Sequence, residues 1–155
     1  MSTDAEDRIE DLMSGDEYDG LGELIRLGEK ATPRLVAILL KHSDALMRKR
    51  SAIALGGIRD RAAVEPLVSS LSDEDPTVVM SAVDALASMG EKAVSQSITP
   101  LLGNIDPSIR KHAIRALAEL GTSESLPDLE ALSERDEHEF IRREATEALR
   151  RLRGS

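Results

Sequence analysis

The chain has 155 residues, enough for one domain with a sizeable core, and a formal charge of −9. It has no cysteine, which excludes disulfide bonds, thiolate catalysis and thiolate metal sites. Its start is acidic, unlike a signal peptide, and no apolar run approaches a membrane span, which together predict a soluble, cytoplasmic protein.

The negative charge is concentrated in the first fifth of the chain. Residues 1–31 contain ten acidic and three basic residues, a net charge of −7, whereas the rest of the chain carries −2. An acidic chain is repelled by phosphates, so general nucleic-acid binding is disfavoured and we expect no nucleic-acid partner.

Apolar residues recur at helical spacing and predict ten helices, joined by connections short enough to make neighbours antiparallel. In chain order the predicted helices span residues 4–13, 16–28, 32–42, 44–58, 61–72, 76–89, 91–103, 107–120, 123–133 and 137–152. Asp75-Pro76 and Asp106-Pro107 each place an N-cap acceptor before a first-turn proline. Gly90 and Gly121 stand where a left-handed residue would end a helix.

The helices repeat with a period of 31 residues, or 32 in the last step. One column of equivalent positions is leucine throughout: Leu24, Leu55, Leu86, Leu117 and Leu149. A second column holds small residues: Gly20, Ser51, Ala82, Ala113 and Ala145. Two further apolar columns are Leu27, Ile58, Met89, Leu120 and Leu152, and Ile9, Leu40, Leu71, Leu102 and Leu132.

One hairpin cannot bury both its faces, so about five antiparallel hairpins should stack together. We therefore predict an all-α fold, a right-handed α-solenoid forming a single domain over residues 1–155. The predicted repeats span residues 1–30, 31–60, 61–90, 91–121 and 122–155. The first is interpreted as an acidic N-terminal cap, because Asp16 and Glu23 occupy positions that are apolar or alanine in the others.

These repeats resemble HEAT repeats, specifically the HEAT-like repeats of the phycobilisome-lyase type. The resemblance is strongest over residues 106–121, where Asp-Pro is followed by a β-branched residue, a basic residue and, near the end, Ala-Leu and Gly. Asp44, Asp75 and Asp106 match the family's aspartate, and Val79 departs from its basic position. The resemblance implies a ladder of ion pairs between repeats, formed by Arg48, Arg110 and Arg142 with Asp44, Asp106 and Asp136.

The resemblance also implies that the second helix of each hairpin lines a concave face. Residues opposite the core stripe should then be exposed on that face: Lys49, Ile53, Met80, Asp84, Lys111, Arg115 and Arg143. This mixture of cations and apolar side chains suits an acidic or amphipathic protein segment lying in a groove. The alternative is that small residues such as Gly56 let neighbouring helices crowd together, while the charges keep the surface wet.

Metal chemistry has little support in the sequence. Metal sites need converging histidines and carboxylates, whereas His42, His112 and His138 are scattered. The single pair His138-Glu139 cannot build the di-iron site of deoxyhypusine hydroxylase, a HEAT-like enzyme with several such pairs. We interpret the histidines as solvated and expect no metal and no cofactor.

Other chemistry is equally poorly represented. There is no Gly-x-Ser-x-Gly elbow and no phosphate loop, and Gly20-Leu21-Gly22 is interpreted as a weakened first helix. HEAT-like DNA glycosylases use exposed aromatic residues, and Tyr18 and Phe140 are the only aromatic residues here.

The sequence thus predicts a non-catalytic scaffold that binds another protein or peptide on its concave face. The alternative, an accessory subunit of a lyase or cofactor-attachment enzyme, follows from the family resemblance. The scarcity of aromatic residues to cradle a tetrapyrrole weighs against it. A nucleic-acid-binding HEAT-like protein is the third hypothesis.

Overall fold

The protein is described here by a computed structural model that covers residues 3–15 and 19–154, and these residues form helices and turns without a strand. They fall into two compact units, Met1–Met89 and Gly90–Ser155. The boundary between the units coincides with the predicted junction of the third and fourth repeats. The single domain over residues 1–155 stays a prediction.

The first unit contains three helical hairpins. Its helices are α1 (Thr3–Ser14), α2 (Asp19–Leu27), α3 (Thr32–Lys41), α4 (Ala45–Ile58), α5 (Val64–Ser69) and α6 (Pro76–Met89). Each odd-numbered helix packs against the next even-numbered one, and α4 packs against both α2 and α6. The second helices therefore form a continuous layer within this unit.

The second unit contains two hairpins. Its helices are α7 (Ser95–Ile98), α8 (Pro107–Leu120), α9 (Leu126–Arg135) and α10 (Glu139–Gly154). The helix α8 packs against α7 and α10, and α9 packs against α10. Each predicted helix corresponds to an observed one, which confirms the all-α repeat architecture; residues 16–18, at the predicted start of the second helix, lie outside the described residues.

Two of the predicted helices, 61–72 and 91–103, are composites of α-helix and 3-10 helix. The segment around α7 begins with a 3-10 turn, Lys92–Val94, and continues past α7 as the 3-10 helix Thr99–Gly103. Pro100 has no amide hydrogen for an α-helical bond, which favours the tighter winding there. Around α5 the hydroxyl of Ser70 donates to the carbonyl of Pro66, a local bond that competes with regular helix geometry.

The leucine and small-residue columns form the core, as predicted. Leu55, Leu86 and Leu117 are fully buried, and Leu24 and Leu149 nearly so. Every described member of the small-residue column is buried as well. The other two apolar columns are only partly buried, because Leu27 and Leu40 are exposed. In α3 the neighbouring Leu39 is buried instead, because one step along a helix turns a side chain by about 100°.

Two glycines permit close approach of helices. A Cβ atom on Gly20 would overlap the backbone carbonyl of Leu12, so α2 crosses α1 at a distance only glycine allows. The interpretation of this glycine as a weakened helix is therefore incomplete, because it has a packing role. A Cβ atom on Gly56 would lie 2.8 Å from the Cβ of Ala85, which supports the crowding interpretation for that position.

The buried leucines should differ in their contribution to stability. Changing Leu86 or Leu117 to Ala should lower the free energy of unfolding by roughly 2–5 kcal/mol, because each change leaves a cavity in a packed core. Leu24→Ala should cost less, because α2 has only nine residues and belongs to the acidic first hairpin. Urea denaturation followed by circular dichroism measures the three values, and equal losses would contradict the cap assignment.

Candidate functional site

The predicted binding residues of the first unit lie on its second helices. Lys49 and Ile53 are half-buried on α4, one helical turn apart and therefore on the same face. Met80 is half-buried on α6, and Asp84 is exposed one turn further along. The unit thus presents partly buried apolar surface beside a lysine, and the role of these residues in binding stays a prediction. Tyr18, at the equivalent position of the first repeat, lies outside the described residues.

The predicted binding residues of the second unit are largely neutralised by carboxylates. Arg115 donates from Nε and Nη2 to the two carboxylate oxygens of Glu144, at 3.1 and 2.7 Å. These bonds, with a further contribution from the charge of Lys111, hold the pKa of Glu144 below its ordinary value. Arg143 pairs with Glu139 at 2.6 Å. The expected basic strip is therefore weaker than the sequence indicated, since Glu144 was not recognised as the partner of Arg115.

A buried arginine joins successive hairpins in the first unit. Arg48 donates from Nε and Nη2 to the carboxylate of Asp73, both at 2.9 Å. Its Nη1 donates to the carbonyls of His42 and Ser43, at the turn between α3 and α4. One guanidinium therefore closes the turn of its own hairpin and binds the turn of the next hairpin. The hydrogen bonds to Asp73 also raise the pKa of Arg48.

The second unit repeats this arrangement. The Nε atom of Arg110 lies 2.8 Å from Oδ2 of Asp136, and its Nη2 donates to Oδ1 of the same carboxylate at 2.9 Å. Its Nη1 donates to the carbonyls of Asn104 and Ile105. Burial by itself would raise the pKa of Asp136, but Arg110 and the backbone amide of His138 together hold it below its ordinary value.

The ion-pair ladder exists with Asp136 as an acidic member, as predicted, but Asp44 and Asp106 have a different role. Asp44 and Asp106 are N-caps whose side chains accept from the amides of Leu46 and Ser108. The carboxylate that binds each arginine comes from the turn of the following hairpin, as in Asp136 with Arg110. A helix start needs an acceptor for its own unpaired amides, which keeps the cap aspartates occupied.

The third basic residue of the ladder, Arg142, binds the equivalent turn carbonyls but pairs with no carboxylate in the described part of the chain. Its Nη1 donates to the carbonyls of Asp136 and Glu137, as Arg110 does in the preceding turn. Among the described residues no carboxylate lies in ion-pair distance of Arg142. Val79, which replaces arginine in the third repeat, is buried in the core.

Two of the histidines, His42 and His138, lie at turns between helices, whereas His112 lies within α8, and all three are half-buried rather than fully solvated. The Nδ1 atom of His42 accepts from the backbone amide of Asp44 at 3.0 Å. The ring of His138 contacts Arg110 through Nδ1 and meets Phe140 edge to face, with centroids 5.6 Å apart. Within residues 3–15 and 19–154, no histidines and carboxylates converge into a group that could hold a metal ion.

These features define a helical-repeat protein of the solenoid class, with antiparallel hairpins joined by buried arginines. A model of the HEAT repeat family matches residues 32–104 and 92–150. The chain belongs to the HEAT repeat family. No curated protein matches it significantly. In the described part of the chain no helix is long and apolar enough to cross a bilayer.

Two solved structures share the fold. The complex of CpcE and CpcF of phycocyanin lyase from Nostoc sp. PCC7120 is 22% identical, with a TM-score of 0.74 over 96% of this chain and 64% of that chain. The protein thus spans less than two thirds of that relative's length. An engineered protein is 21% identical, with a TM-score of 0.65 over 96% of this chain and 79% of that one. At such low identity these similarities show the fold alone.

The buried and the exposed arginine pairs should contribute very differently to stability. Arg110→Met should cost roughly 3–5 kcal/mol, because it leaves the Asp136 carboxylate buried without its partner. Arg115→Met should cost about 0–1 kcal/mol, because that arginine side chain is 52% exposed and its pair is screened by water. Urea denaturation at neutral pH compares the two variants, and a similar loss in both would contradict this assignment.

Acid titration provides the control for the Arg110–Asp136 pair. Folding lowers the pKa of Asp136, so its ionised carboxylate stabilises the folded state. This contribution to the free energy of unfolding is complete above the ordinary aspartate pKa of about 3.9, and it is lost as the pH falls through the lower pKa of the folded state. Asp136→Asn should therefore show a smaller loss of stability between neutral pH and about pH 2 than the unmodified protein does.

Proposed function

We propose that this chain is a protein-interaction module that binds a segment of another protein on its second helices. The name "second-helix surface" is used here for Lys49, Ile53 and Met80 of the first unit, and Lys111 is the corresponding lysine on a second helix of the second unit. The observation that carries the proposal is the combination of half-buried apolar side chains with lysines that form no ion pair among the described residues. Such a surface offers both contact area and charge to a partner.

The ionisable groups support binding rather than catalysis. Every carboxyl group with a resolved shift in the described part of the chain has a lowered pKa, as in Asp73, Asp136 and Glu144. These three are held ionised by an arginine, whereas the pKa of Asp75 is lowered chiefly by hydrogen bonds from Thr77. A general acid or base at neutral pH needs a pKa moved towards neutrality, which is the opposite direction for a carboxyl group. These carboxylates therefore suit structural ion pairs.

The partner segment is expected to be acidic or amphipathic. Lys49 and Lys111 would attract carboxylates, and Ile53 and Met80 would contact apolar side chains. Arg115 contributes little net charge, because Glu144 already neutralises it. The proposal therefore depends on the two lysines and the two apolar residues.

The test is the double variant Lys49→Glu with Lys111→Glu. Affinity purification from the native cell with mass spectrometry identifies the partner, and calorimetric titration then measures its affinity at two salt concentrations. Binding should weaken by about tenfold or more and lose part of its salt dependence, because two attractive charges are reversed. Stability should change by less than about 1 kcal/mol for each substitution, since Lys49 forms no ion pair among the described residues and Lys111 acts on Glu144 through its charge alone.

The matched control is Lys41→Glu with Lys92→Glu, which reverses one exposed lysine in each unit, outside the second helices. Both double variants have the same net charge, so a difference between them reports position. If the control weakens partner binding as much as the test variant does, the second-helix surface is not the binding site.

An accessory subunit of a lyase or cofactor-attachment enzyme is a second candidate function. Its support is the fold shared with the complex of CpcE and CpcF of phycocyanin lyase, which this chain matches over 96% of its own length. Absorption spectroscopy of untagged protein purified from its native cell discriminates the two functions. A co-purifying chromophore would favour the lyase role, and a colourless preparation would favour the interaction module.

A further inference from the structure

The second unit contains an open groove that the proposed function does not use. It has a volume of about 840 Å³ and lies between the 3-10 helix Thr99–Gly103 and α9. Pro100, Ala131 and Leu132 contribute apolar surface to it, and Ile105 stands at its edge. We call this feature the turn groove, because it opens beside the turns that end the first helices.

Ile105 is unusual among the residues at its position in the repeat. It is 95% exposed, and the equivalent residues of the other turns are Ser43, Glu74 and Glu137, all exposed and polar. The fold therefore places no apolar requirement on this position. A single exposed apolar residue is common on protein surfaces, but this one adjoins an apolar groove.

The turn that carries Ile105 is held in place rather than loosely attached. Arg110 donates to the carbonyl of Ile105 at 3.2 Å and to the buried carboxylate of Asp136. The same guanidinium contacts His138, whose ring meets the half-exposed Phe140. A partner would therefore meet a preorganised edge and would lose little free energy in ordering it.

The charges around the turn groove select a basic occupant. Its helix α9 carries three carboxylates and one arginine. Asp128, Glu137 and Arg135, all exposed, lie on the groove wall with two negative charges against one positive, while Arg110 and Asp136 neutralise one another. The C-terminal end of α9, where the helix dipole favours cations, also lies there.

We propose that the turn groove is a second docking site, for a segment of another protein that carries a large apolar side chain beside lysine or arginine. The apolar side chain contacts Ile105, Pro100 and Leu132, and the cation pairs with Asp128 or Glu137. This site has the opposite charge preference to the second-helix surface, so one chain binds two chemically different segments.

The test uses the full chain and a phage-displayed library of random peptides as the probe. Peptides selected on the unmodified protein are synthesised and their affinities measured by fluorescence polarisation. The informative variant is Ile105→Glu, which places in this turn the residue found at the same position in two other repeats. It should keep the melting temperature of the unmodified protein, because the side chain it replaces is 95% exposed.

Three outcomes together support the proposal. The selected peptides combine a large apolar residue with lysine or arginine, and Ile105→Glu weakens them by about tenfold or more. The matched control Leu46→Glu, at another exposed apolar residue, in the first turn of α4, leaves their affinity within about twofold. Glu137→Lys also weakens them and reduces the salt dependence.

The proposal is overturned if no peptide is selected whose binding depends on Ile105, or if the selected peptides are acidic. It is also overturned if Lys49→Glu with Lys111→Glu abolishes binding of the same peptides, because that result would place them on the second-helix surface. Sedimentation velocity tests for a second copy of the chain in the groove. Concentration-dependent dimerisation that is removed by Ile105→Glu would show such a copy and would also contradict the proposal.

Discussion

A helical hairpin covers only one of its two apolar faces, and the next hairpin must cover the other. In this chain the requirement is met with short side chains, because aromatic residues are almost absent. Ser51, Ala82, Ala113 and Ala145 are fully buried. Within the first unit the close contact of Gly56 with Ala85 shows how near α4 and α6 come. Small residues at these positions permit the stacking, and the fully buried leucines provide most of the apolar area that stabilises it.

Stacking also brings the turns of successive hairpins together, and a buried arginine connects them in each unit. A guanidinium removed from water is costly unless its donors are satisfied. Arg48 meets this condition with two turn carbonyls of its own hairpin and one carboxylate of the next. Arg110 has the equivalent partners, although its buried Nε lies 2.8 Å from Asp136 without hydrogen-bond geometry. The arrangement fixes the turn conformation, so that residues such as Ile105 are presented in a defined position.

The described surfaces differ in charge in a way that the net charge of the protein conceals. Lys49 and Lys111 lie on second helices and form no ion pair among the described residues. The turn groove is bordered instead by Asp128 and Glu137, which outnumber its one exposed cation, Arg135. At physiological ionic strength the Debye length is about 8 Å, so each surface acts mainly through its local charges. Two binding preferences can therefore coexist in one acidic chain.

The sequence by itself determined the repeat, the helices and most of the core, because these depend on patterns within about 31 residues of chain. The N-cap role of Asp106 and the left-handed residue Gly121 were likewise predictable, since both are local to one helix. The exposure of Leu40 was not predictable from its column, because the column did not specify which of two adjacent leucines faces inward.

Only the tertiary structure decided which charges meet. Asp136 binds Arg110, and Glu144 neutralises Arg115, across 26 and 29 residues of chain. Several carboxylates lie at comparable separations, and spacing along the sequence does not distinguish among them. Which carboxylate pairs with each arginine depends on how one hairpin packs against the next. The exposure of Ile105 beside an apolar groove depends on the same packing. Local periodicity therefore determined the architecture of the repeats, whereas contacts between repeats determined the electrostatic character of the surfaces that a partner would meet.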